Sequence, residues 1–171
     1  MELYATVAGG ATLIDSAVSD GNGAFRLGTR PPAPRGAVHY LLASRGATDR
    51  LLVALGQADE MPSALVVNEL ATIATIWTHA QLMDGDALQG NRVGLAAAAR
   101  NVPNLVDLPA GELDEVVLNT ANLQTNTAAT MGTLASLLTD CLVDTCPELF
   151  EFATPPGEDP PADPATSAAT A

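Results

Sequence analysis

The stretch ALVVNELATIATIWTHAQLM, Ala64 to Met83, is the longest segment of the chain with one consistent period. Val66, Leu70, Ile73, Trp77 and Ala80 recur at spacings of 4, 3, 4 and 3, which places them on one face of a helix. Such a face needs an apolar partner. Asn68, Thr72, Thr75, Thr78, His79 and Gln81 form the opposite, polar side, so the segment reads as a buried amphipathic helix. Its length of about twenty residues also matches a membrane span, but a lipid-facing helix rarely carries that polar side.

The partner face lies near the carboxyl end. Met131, Leu134, Leu138 and Cys141 are spaced 3, 4 and 3 across a helix predicted from Thr127 to Val143. Between the two, Asp84-Gly85-Asp86 stops the first helix and an Ala-rich helix is predicted from Asn91 to Arg100, with Pro103 opening a further helical turn. Pro109-Ala110-Gly111 then starts an irregular acidic connection through Glu112, Asp114 and Glu115. Pro147 to Phe152 has the length of one more turn. Residues 154–171 are mostly Pro, Ala, Thr, Asp and Gly without an apolar period, the composition of a disordered tail or linker.

Upstream of Met61-Pro62 the period changes from helical to alternating, which sets a boundary near Ala58 to Ser63. LYATVA, TLIDSAV, GAFRL, AVHYLLAS and RLLVALG read as strands separated by Gly9-Gly10, Asp20-Gly21-Asn22-Gly23 and Arg45-Gly46. Pro31, Pro32 and Pro34 mark a loop. Asp20-Gly21-Asn22 offers oxygens at alternate positions, as a calcium loop would. The next ligand positions hold Ala24 and Pro31, so a hairpin turn is the better reading.

The 171 residues suffice for one ordinary domain or two small ones, and with aromatics at 4% the core must be filled by Ala, Leu, Val and Ile. A net charge of −13 makes nucleic acid and anionic membrane surfaces poor partners. All seven basic residues are Arg; without Lys there is no Schiff-base lysine, phosphate-loop lysine or Ser-Lys pair. The amino end has no basic and apolar leader pattern, so either the protein is cytosolic or an upstream part lies outside this chain. Cys141 and Cys146 form neither a CxxC nor a zinc pattern; they are open to a short disulfide or to two helix-end thiols.

No catalytic constellation stands out. His39 falls in a strand pattern and His79 in the central helix, with no nucleophile elbow near either, and both read as structural. Asn68 and Glu69 are the polar pair that interrupts an apolar run. Capping and first-turn charge complementation explain them better than ligand contact, although Ser63 is the plausible N-cap if the helix starts earlier and Asn68 if it starts later. No metal or cofactor is expected.

The phrase Ser19-Asp20-Gly21-Asn22-Gly23-Ala24-Phe25 resembles the hairpin of carboxypeptidase-regulatory-like, prealbumin-like β-sandwich modules. That resemblance implies a sandwich whose first strands would precede Glu2. Val66-Val67-Asn68-Glu69-Leu70-Ala71-Thr72, Gly94-Leu95-Ala96 through Asn104-Leu105-Val106-Asp107, and Met131-Gly132-Thr133-Leu134-Ala135 to Cys141 together resemble a segment of bacterial secreted proteins that carry NHL-repeat β-propellers.

The resemblance implies a non-enzymatic structural or interaction module, extracellular or at the cell surface, within a larger chain bearing a propeller. It also implies a disulfide between Cys141 and Cys146, and an unidentified protein or glycan as partner. The expected fold class is α+β: a short antiparallel β-sandwich-like module over 1–60, then a small bundle of three to four helices over 61–153. An acidic carbohydrate- or cation-binding module using Asp20, Asn22, Asp84 and Asp86 is the alternative. Asn68, Glu69 and Trp77 are the expected structural residues, and Trp77→Ala should cost roughly 3–5 kcal/mol if the indole is fully buried.

Overall fold

The computed structural model describes residues 1–28, 33–46, 49–119 and 126–143. The alternating segments form β1 (Glu2–Val7), β2 (Gly10–Ser16), β3 (Val38–Arg45) and β4 (Asp49–Gln57). They make one antiparallel sheet in the order β2-β1-β3-β4. Gly9, at φ +81, supplies the left-handed residue of the β1–β2 turn. Cross-strand register places Leu3, Leu41 and Val53 in one row and Tyr4, Tyr40 and Ala54 in the next. Val38 to Leu42 is buried throughout, so both faces of β3 are covered; this is why the strand shows no apolar-polar alternation there, His39 being the one polar residue of that run.

The strand expected at Gly23–Leu27 is not formed. Instead the Asp20 carboxylate accepts the N–H groups of Asn22 and Ala24, and Asp20 N–H donates to the Ala24 carbonyl. The turn closes on itself and pairs with no ladder, leaving Val18 94% exposed while Phe25 and Leu27 pack against the core.

The helical part comprises α1 (Glu69–His79), α2 (Arg92–Asn101), the single turn α3 (Glu115–Leu118) and α4 (Thr127–Val143). Two short ladders interrupt it. Asp84-Gly85-Asp86 lies at the tip of β5 (Met83–Asp84) and β6 (Ala87–Leu88), and the acidic connection contains β7 (Val106–Asp107) and β8 (Glu112–Leu113). Pro103 sits in a 3-10 turn directly after α2. The fold is therefore α+β, a sheet followed by helices. Helices and short ladders supply its other layer, and among the described residues no second large sheet makes a sandwich.

α4 buries Met131, Ala135, Leu138 and Cys141 and packs on α1, as the apolar spacing requires. The face expected of α1 is corrected. The helix starts at Glu69, so Val66 precedes it, and Trp77 is 49% exposed. What α1 buries is Ala71 to Ile76 and His79, including Thr72, Thr75 and His79 from the supposed polar side. The physical reason is the sheet edge beside it. The backbone of β4 needs hydrogen-bond acceptors there, and threonine provides them where leucine could not. The possible turn at 147–152, Cys146 and the tail 154–171 lie outside the described residues.

Candidate functional site

The polar side chains of α1 are used in construction. Thr72 Oγ1 accepts the Leu52 N–H at 3.1 Å, and Thr75 Oγ1 accepts the Ala54 N–H at 3.0 Å. Each hydroxyl donates in turn to a carbonyl one turn back, Asn68 and Ala71 respectively. One helical turn thus matches two residues of strand, and α1 covers the edge of β4.

Asn68 is the N-cap, its Oδ1 accepting from Ala71 N–H at 3.0 Å, with Glu69 in the positively polarised first turn. Its Nδ2 donates to the Gly111 carbonyl at 2.7 Å, and Val66 N–H donates to the Leu108 carbonyl at 2.8 Å. Gly111 has φ +71, and a Cβ there would stand 2.8 Å from Val66 Cγ1. The entry to α1 is clamped onto the β7–β8 ladder at a point where only glycine fits.

Both imidazoles are fully buried. His39 makes no well-formed hydrogen bond through either ring nitrogen; burial pushes its pKa down, with a weaker backbone contact from Gly56 opposing. His79 has Nδ1 at 3.0 Å from the Thr75 carbonyl and 2.8 Å from Thr78 Oγ1, with Nε2 unpartnered, and burial again lowers its pKa. Nδ1 is directed at α1's own last turn, so the imidazole belongs to the core.

The carboxylates considered for a cation are dispersed in their roles. Asp20 holds its own turn, Asp84 accepts from Gln89 Nε2 at 2.8 Å, and Asp86 lies 3.7 Å from Arg50. The described residues contain no group of three metal-ligating side chains. Cys141 is buried on α4, and no described cysteine is free; Cys146 falls outside the described residues.

One constellation escapes sequence reasoning. On the face of the sheet that carries Tyr4 and Tyr40, Tyr4 OH donates to Glu2 Oε2 at 3.1 Å, and its ring stacks on Tyr40 with centroids 5.3 Å apart. Arg50 from β4 meets Asp86 from the β5–β6 turn, and both charges act on the Tyr4 phenol. Burial, followed by Glu2 and Asp86, raises the Tyr4 pKa; Tyr40, more deeply buried, is pushed up to about 12. Strand alternation puts Glu2 beside Tyr4, but only the packing of β4 and of the β5–β6 turn brings Arg50 and Asp86 to them.

Trp77 gives the second surface feature, a large apolar side chain half in solvent near the end of α1. No described helix is long and apolar enough to cross a membrane. Compared with protein-family models, curated proteins and solved structures, the chain finds no match in any of the three.

Proposed function

We propose that this protein is a non-enzymatic structural or interaction module of a secreted or cell-surface protein, and that Trp77 lies in the contact surface it offers to a neighbouring domain. The observation that carries this reading is the half-exposed indole on a helix whose polar side chains are engaged in holding the sheet edge. Large aromatic side chains at a surface are the residues that dominate interfaces. The setting follows from the resemblance to proteins with an NHL-repeat propeller, in which a disulfide joins Cys141 to Cys146 and the partner is a domain of the same longer chain.

Trp77 is the only tryptophan, so its fluorescence reports this surface alone. The experiment compares the present chain with a longer product of the same reading frame in which any flanking tryptophans are replaced. A blue shift and reduced acrylamide quenching of Trp77 in the longer protein supports the contact. Identical emission and quenching refutes it. For the disulfide, protein made in an oxidising host should be lighter by two hydrogens than its reduced form; two alkylatable thiols refute it.

A second reading, carbohydrate binding, is favoured by the Glu2, Tyr4, Arg50 and Asp86 group, which combines an aromatic face with charged hydrogen-bonding groups. Glycan-array binding lost in Arg50→Ala and kept in Trp77→Ala supports it. Absence of any glycan signal removes it. A cation version requires a calcium-dependent rise in melting temperature.

A further inference from the structure

The sheet has two edges, and the chain treats them differently. At β4 the outward N–H groups of Leu52 and Ala54 are taken by Thr72 and Thr75. At β2 the sheet ends. The two-residue turn Ala8-Gly9 makes Val7 and Gly10 a hydrogen-bonded pair, and alternation makes Ala5 and Thr12 the next. Ala11 and Leu13 therefore direct their N–H and C=O groups away from β1, and among the described residues no backbone group pairs with them there.

The chemistry of this edge is unlike the rest of the surface. Gly10 to Ile14 contains no charge and no proline, and Leu13 is 49% exposed. Asp15, the next residue, has its carboxylate engaged by the N–H groups of Ser16 and Gly28. In a chain of net charge −13, this is an uncharged strip on which two acidic copies can approach. Gly10 to Leu13 carries no lysine or proline and, among the described residues, no covering helix; the one protection of this edge is the bulge at Ile14, which follows the stretch that pairs.

We propose that the outer edge of β2 is an interface between two copies of this chain, pairing antiparallel about Thr12 to join two four-stranded sheets into one. The outward groups are self-complementary under a two-fold axis: Ala11 of each copy exchanges backbone hydrogen bonds with Leu13 of the other. Thr12 meets Thr12 in the closer, non-hydrogen-bonded position, a favourable cross-strand pair. Each Asp15 lies past the Ile14 bulge, near the β1–β2 turn of the other copy rather than opposite a second carboxylate.

The charge of the copies sets the salt response. Repulsion between two acidic chains weakens as the Debye length contracts from about 14 to about 4 Å between about 0.05 and 0.5 M NaCl, so pairing strengthens with salt. A basic partner strand would respond in the opposite sense.

Sedimentation velocity on the full chain from about 10 µM to about 1 mM, at both salt concentrations, tests the proposal. The weight-average mass should rise from 17.5 kDa toward twice that value, further at high salt. Backbone amide exchange at Ala11 and Leu13 should slow with concentration. Leu13→Pro removes an outward N–H without touching the β1–β2 ladder, and Thr12→Lys sets like charges opposite each other; each should weaken pairing at least about tenfold. If Leu13→Pro loses its circular-dichroism signature, Thr12→Lys decides.

A monomer under all conditions overturns the proposal, as does a dimer unchanged in folded β2 variants or one that weakens with salt. Trp77→Ala should leave pairing intact. A dimer lost in that variant alone belongs to the α1 surface, so the two readings fail separately.

Discussion

Thr72→Val tests the contact between helix and sheet edge. Valine keeps the volume and β-branching of threonine and differs little in helix propensity. The bond that the hydroxyl donates to the Asn68 carbonyl is dispensable, because Thr72 N–H donates to the same oxygen at 3.0 Å. The bond it accepts is not dispensable. Without it the N–H of Leu52, a residue at 0% exposure, is left buried without an acceptor, at a cost of about 1–3 kcal/mol. Thr72→Ser keeps the oxygen and removes one methyl group, a loss of about 0.8 kcal/mol plus a small cavity term.

The valine variant should therefore be the less stable of the two, the reverse of what burying apolar surface alone would give. Thr75→Val acts in the same way on the Ala54 N–H. The double valine variant should lose about 2–6 kcal/mol if the sites add, although being one turn apart they can couple. In urea, with a slope of about 1–3 kcal/mol/M, a 2 kcal/mol loss moves the midpoint by about 1 M. A Thr72→Val protein as stable as the parent, or a serine variant less stable than the valine one, would refute the edge-capping argument.

Four further outcomes are expected. Gly111→Ala forces φ +71 on a residue with a Cβ and drives that atom against Val66 and Asn68, so urea unfolding should show a loss of about 1–3 kcal/mol; a neutral result would remove the clamp. Asn68→Ala loses both the cap and the Gly111 contact and should cost about 1–2 kcal/mol, measured the same way. Trp77→Ala should cost about 1–2 kcal/mol, well under the 3–5 of a buried indole, since half of the side chain is already in water; a loss above about 3 would place the indole in the core. The buried histidines make stability pH-dependent. Their folded pKa values lie below 6.5, so the unfolded chain binds more protons, and stability, level above about pH 6.5, should fall as pH drops below it until the folded values are passed. Urea midpoints at pH 7.5 and 5.5 measure this, and His39→Leu should reduce the slope; a flat profile between those pH values refutes it.

The elements were largely legible in the chain because their signals are local. The period of Thr127 to Val143 locates α4 and most of its buried face, Met131, Leu138 and Cys141, with Ala135 buried where the spacing points to Leu134, and the Gly9-Gly10 and Arg45-Gly46 turns locate the two hairpins because positive φ selects glycine. The capping role of Asn68 was readable from an Asn-Glu pair at a helix start. The Gly23–Leu27 segment departs from its pattern for a related reason: alternation shows that a strand is possible, while only a neighbouring ladder makes one.

What the sequence by itself determined is the order of a β module and a helical region, the hairpins, the caps and the acidic, lysine-free surface. Tertiary structure decided which side of α1 is inside, because the deciding demand comes from another segment. Apolar spacing measures water avoidance along one helix, but the unpaired N–H groups of Leu52 and Ala54 favour hydroxyls over leucine at the contact. That demand buries Thr72 and Thr75, and helical geometry then leaves Trp77 half in solvent. Tertiary packing likewise brings Arg50 and Asp86 to Tyr4 and, among the described residues, leaves β2 without the helical cover that β4 has.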